Sequence, residues 1–138
     1  MISKEDLYQF MRRQPLAVVA SVNAQGLPES AVVGIAVTPQ LEIVFDTVND
    51  TRKYANLLLQ PRCSIVIGWE QVTVQLEGFA RLLGGSEDEN FRECYYASYP
   101  DGIDRMLNWP GLVHFVVQPS WIRYSDFGEP RLIREFRL

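Results

Sequence analysis

The segment Phe45-Asp46-Thr47-Val48-Asn49-Asp50-Thr51-Arg52-Lys53 concentrates the groups of this chain that can hold an anion. It reads as a strand end, a short loop and a helix start. A helix N-terminus collects free backbone N–H groups and the positive end of the helix dipole. Acidic side chains are welcome there, so Arg52 and Lys53 in the first turn have the wrong sign, each costing about 0.3–1 kcal/mol if nothing compensates. A bound anion reverses that effect. It would accept backbone N–H bonds, the Arg52 fork and the Lys53 ammonium together, with Thr47 and Thr51 as hydroxyl donors. On spacing alone, the plainer alternative stays open: both cations simply point into water.

Other chemistry-bearing residues are sparse. His114 is the single histidine and lies inside the alternating run Val113-His114-Phe115-Val116-Val117, which suggests a barrel-face residue more than an acid–base group. Cys63 and Cys94 lack an activating signature, and a structural zinc site wants about four Cys or His ligands, so no metal is expected. Tyr95, Tyr96 and Tyr99 either cover a ring at a pocket mouth or pack a helix on the barrel. No Ser-His-Asp set or carboxylate pair can be assembled. With 13 Lys and Arg against 17 Asp and Glu, the net charge is −4, which leaves no electrostatic footprint for nucleic acid or an anionic membrane surface. No run approaches the ~18–20 apolar residues of a membrane span, and the polar start Ser3-Lys4-Glu5-Asp6 is unlike a signal peptide. A cytoplasmic protein with reduced thiols is the expectation.

These residues must be positioned by the rest of the chain. Its 138 residues match one domain, residues 1–138, at the usual allowance of roughly 100–200. Ser3 to Arg13 reads as a capped amphipathic helix, ended by Pro15. Strands follow at Leu16–Val22, Pro28–Val37 and Leu41–Asp46, with turns at Gly26 and Pro39. Thr51–Gln60 has helical spacing and stops at Pro61. Arg62–Gly68 and Val72–Leu83 are strands, Gly78 marking a bulge or bend in the second. Ser86 to about Ser98 is a helix with acids in its first turn, and Ile103–Leu107 adds a further turn. Leu112–Val117 and Trp121–Ser125 read as strands on either side of Pro119, and Arg131–Leu138 as an edge strand. The sum is mainly β: a closed or partly closed antiparallel barrel of about six to seven strands with two or three peripheral helices.

The runs LAVVASVNAQGLPES, VFDTVNDTRKYANLL, QPRCSIVIGW and TVQLEGFARL, between Leu16 and about Asp126, resemble the pyridoxamine 5′-phosphate oxidase-like, FMN-binding split-barrel family. The block DTRKYANLLLQPRCSIVI is the most specific part. The resemblance implies a Greek-key split barrel. It also implies that Arg52, Lys53 and Thr47 hold the phosphate of flavin mononucleotide (FMN), and that the flavin ring lies along Val32, Val33 and Gly34. Thr73 or Gln75 on the fifth strand would supply a further contact. A homodimer with FMN at the interface is implied as well.

The sequence departs from the oxidase itself. Ala31 and Ala36 stand where the oxidase has cations at both ends of its ring-facing strand, and Tyr99 where its substrate-phosphate clamp has an arginine. Thr73 replaces a glutamine, and Ser125 a tryptophan against the flavin. Each lost charge-assisted bond is worth roughly 1.5–3 kcal/mol, so pyridoxamine phosphate is not the expected substrate. Two readings follow: a flavin-dependent oxidoreductase acting on a small molecule, or a non-catalytic binder of flavin, haem or a deazaflavin.

Overall fold

The computed structural model describes residues 1–138. Ser3 caps α1 (Lys4–Arg12) reciprocally: its hydroxyl accepts from the Asp6 N–H, and the Asp6 carboxylate accepts from the Ser3 N–H. This satisfies two donors the helix would otherwise leave free. Leu7 and Met11 form the buried face of α1.

β1 (Leu16–Val22) and β2 (Pro28–Gly34) pair as a hairpin. The strand expected over Pro28–Val37 is in fact broken. β2 stops at Gly34, the Ile35 N–H turns back to the Pro15 carbonyl at 3.0 Å, and β3 (Ala36–Val37) pairs instead with β4 (Ile43–Val48). β4 starts two residues later than the apolar run suggests, because Leu41 sits in the turn with φ 68°. After α2 (Arg52–Leu59) come β5 (Arg62–Ile67), β6 (Val72–Leu82), a 3-10 turn (Ser86–Asp88), α3 (Glu89–Ser98) and α4 (Gly102–Asn108). β7 (Leu112–Asp126) and β8 (Leu132–Arg137) complete the chain. The sheet order is β2-β1-β5-β6-β7-β4-β3, with β8 on the C-terminal half of β7. One stretch of chain therefore begins at one end of the sheet and finishes at the other, which rolls the sheet into a split barrel. Eight strands, counting the two-residue β3, and four helices slightly exceed the expected numbers.

β7 is a further correction. Pro119 does not divide it, and 15 residues run on without a break. Proline has no N–H for a ladder and survives in a sheet only at edges or bulges. Here it faces Gly78, where the β6–β7 register shifts between Glu77 and Gly78. A Cβ on Gly78 would run into the Gln118 carbonyl. The two residues read separately as a bend and a break are one shared bulge.

Inward-facing side chains such as Val19, Val33, Phe45, Ile65 and Phe115 fill the barrel, and Leu57 of α2 joins them. On the outer face α3 lays Tyr95 over Ala36, Val44, Leu83 and Val116. No helix is long and apolar enough to cross a membrane.

Candidate cofactor site

The loop between β4 and α2 is fastened by its own threonines. The Thr51 hydroxyl donates to the Val48 carbonyl at 2.9 Å, so its 3.0 Å contact with Thr47 must take the Thr47 proton. Thr47 is buried, and both hydroxyls are spent on loop geometry. As donors to an anion they would first have to leave these partners. Thr51 is also the N-cap of α2, yet its side chain makes no cap hydrogen bond, and no acid stands in the first turn. The contrast with α1, doubly capped and acidic, is complete. The first turn of α2 carries Arg52 and Lys53, two cations at the positive end of a dipole, with Asp50 just before the cap in the same groove.

A groove of about 350 Å³ opens beside this terminus, lined by Thr51, Arg52 and Lys53 on one side and Glu29, Ser30 and Ala31 of β2 on the other. Arg52 is mostly exposed, and its Nη1 donates to Glu29 Oε2 at 3.2 Å. Lys53 is half-buried: burial pulls its ammonium pKa down, and Asp46 pulls it back up. Thr47, Thr51, Arg52 and Lys53 thus meet at one place.

The ring-side candidates separate. Val32 is 62% exposed on the outer face, whereas Val33 points into the core. Val32, Val18, Val66 and Gln75 are register partners in one row across β2, β1, β5 and β6. Gln75 therefore shares the outer face with Val32, and Thr73, two residues earlier on β6, faces the same way. Three strand spacings, about 14 Å at ~4.8 Å each, divide β6 from β2, so Thr73 and Gln75 do not line the groove at Arg52 in the same chain. At Gly34 the space left by the missing side chain is taken by Tyr99, whose Cζ and hydroxyl oxygen lie 2.8 Å from where a Cβ would stand. Tyr99 also donates its hydroxyl to the Pro15 carbonyl. β2 has no ladder partner on its far side, which leaves backbone groups there open.

The sequence profile of the pyridoxamine 5′-phosphate oxidase family matches residues 3–126. The chain belongs to this family. Among solved structures, a haem-binding protein from Mycobacterium smegmatis superposes with a TM-score of 0.82 at 16% identity, over 99% of this chain and 59% of that one. HutZ, a haem storage protein of Vibrio cholerae, gives 0.70 at 16% identity, over 86% and 91%. A pyridoxamine 5′-phosphate oxidase-related, FMN-binding protein from Nostoc punctiforme gives 0.67 at 12% identity, over 95% and 90%. At such identities the likeness is one of fold. The chain spans about three-fifths of the length of the first two structures it resembles, at 59% and 58%. No curated protein matches it in sequence.

Tyr95 is fully buried and stacks on Tyr99 at 5.0 Å between centroids. The tyrosine cluster packs α3 onto the barrel. His114 lies beneath α3, its ring edge-on to Tyr95 and Tyr96 at 5.4 and 5.7 Å, and neither ring nitrogen has a partner. Burial pushes the Cys63 thiol up to about 12, which keeps it inert. Sequence reasoning missed Glu29 and Asn56: Asn56 is buried and donates to Glu29 Oε1 at 2.8 Å and to Ser21 Oγ at 3.0 Å. They lie 27 residues apart, and the one local signal was a polar residue one turn after Arg52 on a helix face that folds inward. Asp46 was also missed as a charge centre; Arg105 of α4 binds it at 3.1 Å, with Tyr95 Oη beside the same Arg105 nitrogen at 3.3 Å.

Proposed function

We propose that this chain is an FMN-binding flavoprotein, a flavin-dependent oxidoreductase acting on a small molecule in the cytoplasm. One observation carries the cofactor reading: α2 begins with uncapped amides, no acid in its first turn, and the adjacent cations Arg52 and Lys53 facing a groove. This donor set suits a phosphate monoester, and the FMN-binding relative of the same family supports a flavin that carries one. When bound, FMN supplies the redox chemistry. The protein's part is to hold the phosphate at Arg52 and Lys53, to offer the open edge of β2 to the ring, and to exclude water.

The working unit in this reading is a homodimer. The exposed outer row of Val32 and Val66, with Leu16 nearby, is the surface on which a second copy would sit. That copy would bring Thr73 and Gln75 toward a flavin whose phosphate is held by the first chain. Haem, carried by two of the fold relatives, is the less favoured ligand. His114 is sealed behind Tyr95 and Tyr96 and cannot reach an iron without displacing α3.

The test is titration of the purified protein with FMN and with riboflavin, which lacks the phosphate. Alanine at both Arg52 and Lys53 should weaken FMN binding by several kcal/mol, at roughly 1.5–3 per charge-assisted contact, and leave the weak riboflavin binding unchanged. Equal loss for both ligands would place the phosphate elsewhere. A Soret band in place of flavin bands would favour haem.

A further inference from the structure

Glu29 is an unexpected neighbour for a phosphate. Its carboxylate lies in the same groove as Arg52 and Lys53, where its charge should repel the ligand. It is nevertheless held firmly. Buried Asn56 donates to Oε1 at 2.8 Å, and Asn23 donates to Oε2 at 3.3 Å. The Asn56 bond leads the effects that lower the Glu29 pKa, and Arg52 contributes, so the group stays ionised. Ser21, itself buried, receives the second Asn56 proton at 3.0 Å. The carboxylate is thus anchored through a buried amide to β1, α2 and β2 at once. Arg52, by contrast, keeps 75% of its side chain in solvent, and its one hydrogen bond to another side chain is Nη1 to Glu29 Oε2. A guanidinium has five N–H donors in a rigid fork, so four remain free for an anion.

We infer that Glu29 is a positioning residue of the phosphate site: it holds the Arg52 guanidinium at the mouth of the groove, and its help in pre-ordering Arg52 outweighs its own repulsion of the ligand. The inference rests on the phosphate reading above. An unrestrained exposed arginine must be ordered on binding, at a cost of about 0.5–1.5 kcal/mol for a rotamer-rich side chain. Glu29 meets that cost in advance.

The test is a double-mutant cycle read by FMN titration, with riboflavin as the control. Glu29→Gln keeps an acceptor for Asn56 and removes the charge that holds Arg52. In the wild-type background it should weaken FMN binding, by at most about tenfold, since the ordering cost above sets the ceiling and the repulsion relieved by the same change subtracts from it, and leave riboflavin binding and the thermal midpoint unchanged. In an Arg52→Ala background the sign should reverse. With no guanidinium to hold, the carboxylate only repels, so E29Q should tighten FMN binding. Tighter FMN binding in both backgrounds would reduce Glu29 to a repulsive charge and overturn the proposal. Equal loss of FMN and riboflavin would make its role structural and overturn it too. Wild-type protein that binds FMN no tighter than riboflavin would instead overturn the phosphate reading itself, and this proposal with it.

Discussion

His114 gives the fold a pH dependence that can be calculated from its surroundings. The imidazole is 2% exposed, and neither ring nitrogen has a partner. Burial is the main effect lowering its pKa from 6.5; Asp46 and Glu89 oppose it, while Arg92 and Arg105 add to it. The folded chain therefore holds the ring neutral at a pH where the unfolded chain protonates it. Between the folded value and about 6.5, the unfolded state binds up to one more proton, and stability falls as pH falls, by at most about 1.4 kcal/mol per pH unit. From pH 6.5 to 5.0 the loss reaches about 2 kcal/mol at the limit, a large share of the ~5–15 kcal/mol that holds a domain together. The carboxylates with lowered pKa lose their contribution in a lower window, Glu29 below its ordinary 4.5 and Asp88, at about 2 beside Arg81, below 3.8. The interval from pH 5 to 7 therefore belongs to the single histidine. Urea unfolding at half-unit steps across that interval should show the slope, and His114→Leu should flatten it. Amide exchange should accelerate first in α3, because Tyr95 and Tyr96 form the lid over the ring. A flat wild-type profile, or a leucine variant with an unchanged slope, would refute the reasoning.

The fold was legible in the sequence wherever a strand or helix announces itself locally. LAVVASV became β1 without a residue's difference, and Ser3 announced its helix. The differences arose where partners are distant. Pro119 reads as a strand breaker until Gly78, 41 positions earlier, is seen to supply the bulge that accommodates it, the register shifting beside their pairing. The strand from Pro28 had every propensity to run to Val37, and broke because Ile35 takes the Pro15 carbonyl while Ala36 and Val37 take β4. The site divides along the same line. Arg52 and Lys53 were legible because their sign is wrong for a helix start, a conflict visible within one turn. Glu29 and Asn56 were not, since a carboxylate on a strand and an amide on a helix mean nothing until the fold puts them 2.8 Å apart. The resemblance laid a flavin ring along Gly34, and in this chain the space beside that glycine is taken by the Tyr99 ring.

Three further outcomes are expected. Gly78→Ala should lower stability by roughly 1–3 kcal/mol, measured by denaturant midpoint, because the added methyl meets the Gln118 carbonyl; a neutral substitution would show that the bulge can relax. Oxidation of pyridoxamine phosphate by FMN-loaded protein should be absent, since Tyr99 packs on Gly34 and Tyr95 where the oxidase has a cation; turnover of about 1 per second or more would contradict this. The last concerns assembly. Val32 at 62%, Leu16 at 42% and Val66 at 37% exposure lie on one outer sheet face, where no helix of this chain covers them, while α3 covers the opposite flank at Ala36, Val44 and Val116. A β-branched row left in water wastes its burial at roughly 25 cal/mol per Å², and a second copy applied by a two-fold axis would cover both rows at once. Light scattering across a dilution series should give twice the 15.8 kDa of one chain, and Val32→Lys with Val66→Lys should halve that mass and weaken FMN binding together. A monomer that still binds FMN would show that one chain completes the site, and that Thr73 and Gln75, about 14 Å of sheet away, have no part in it.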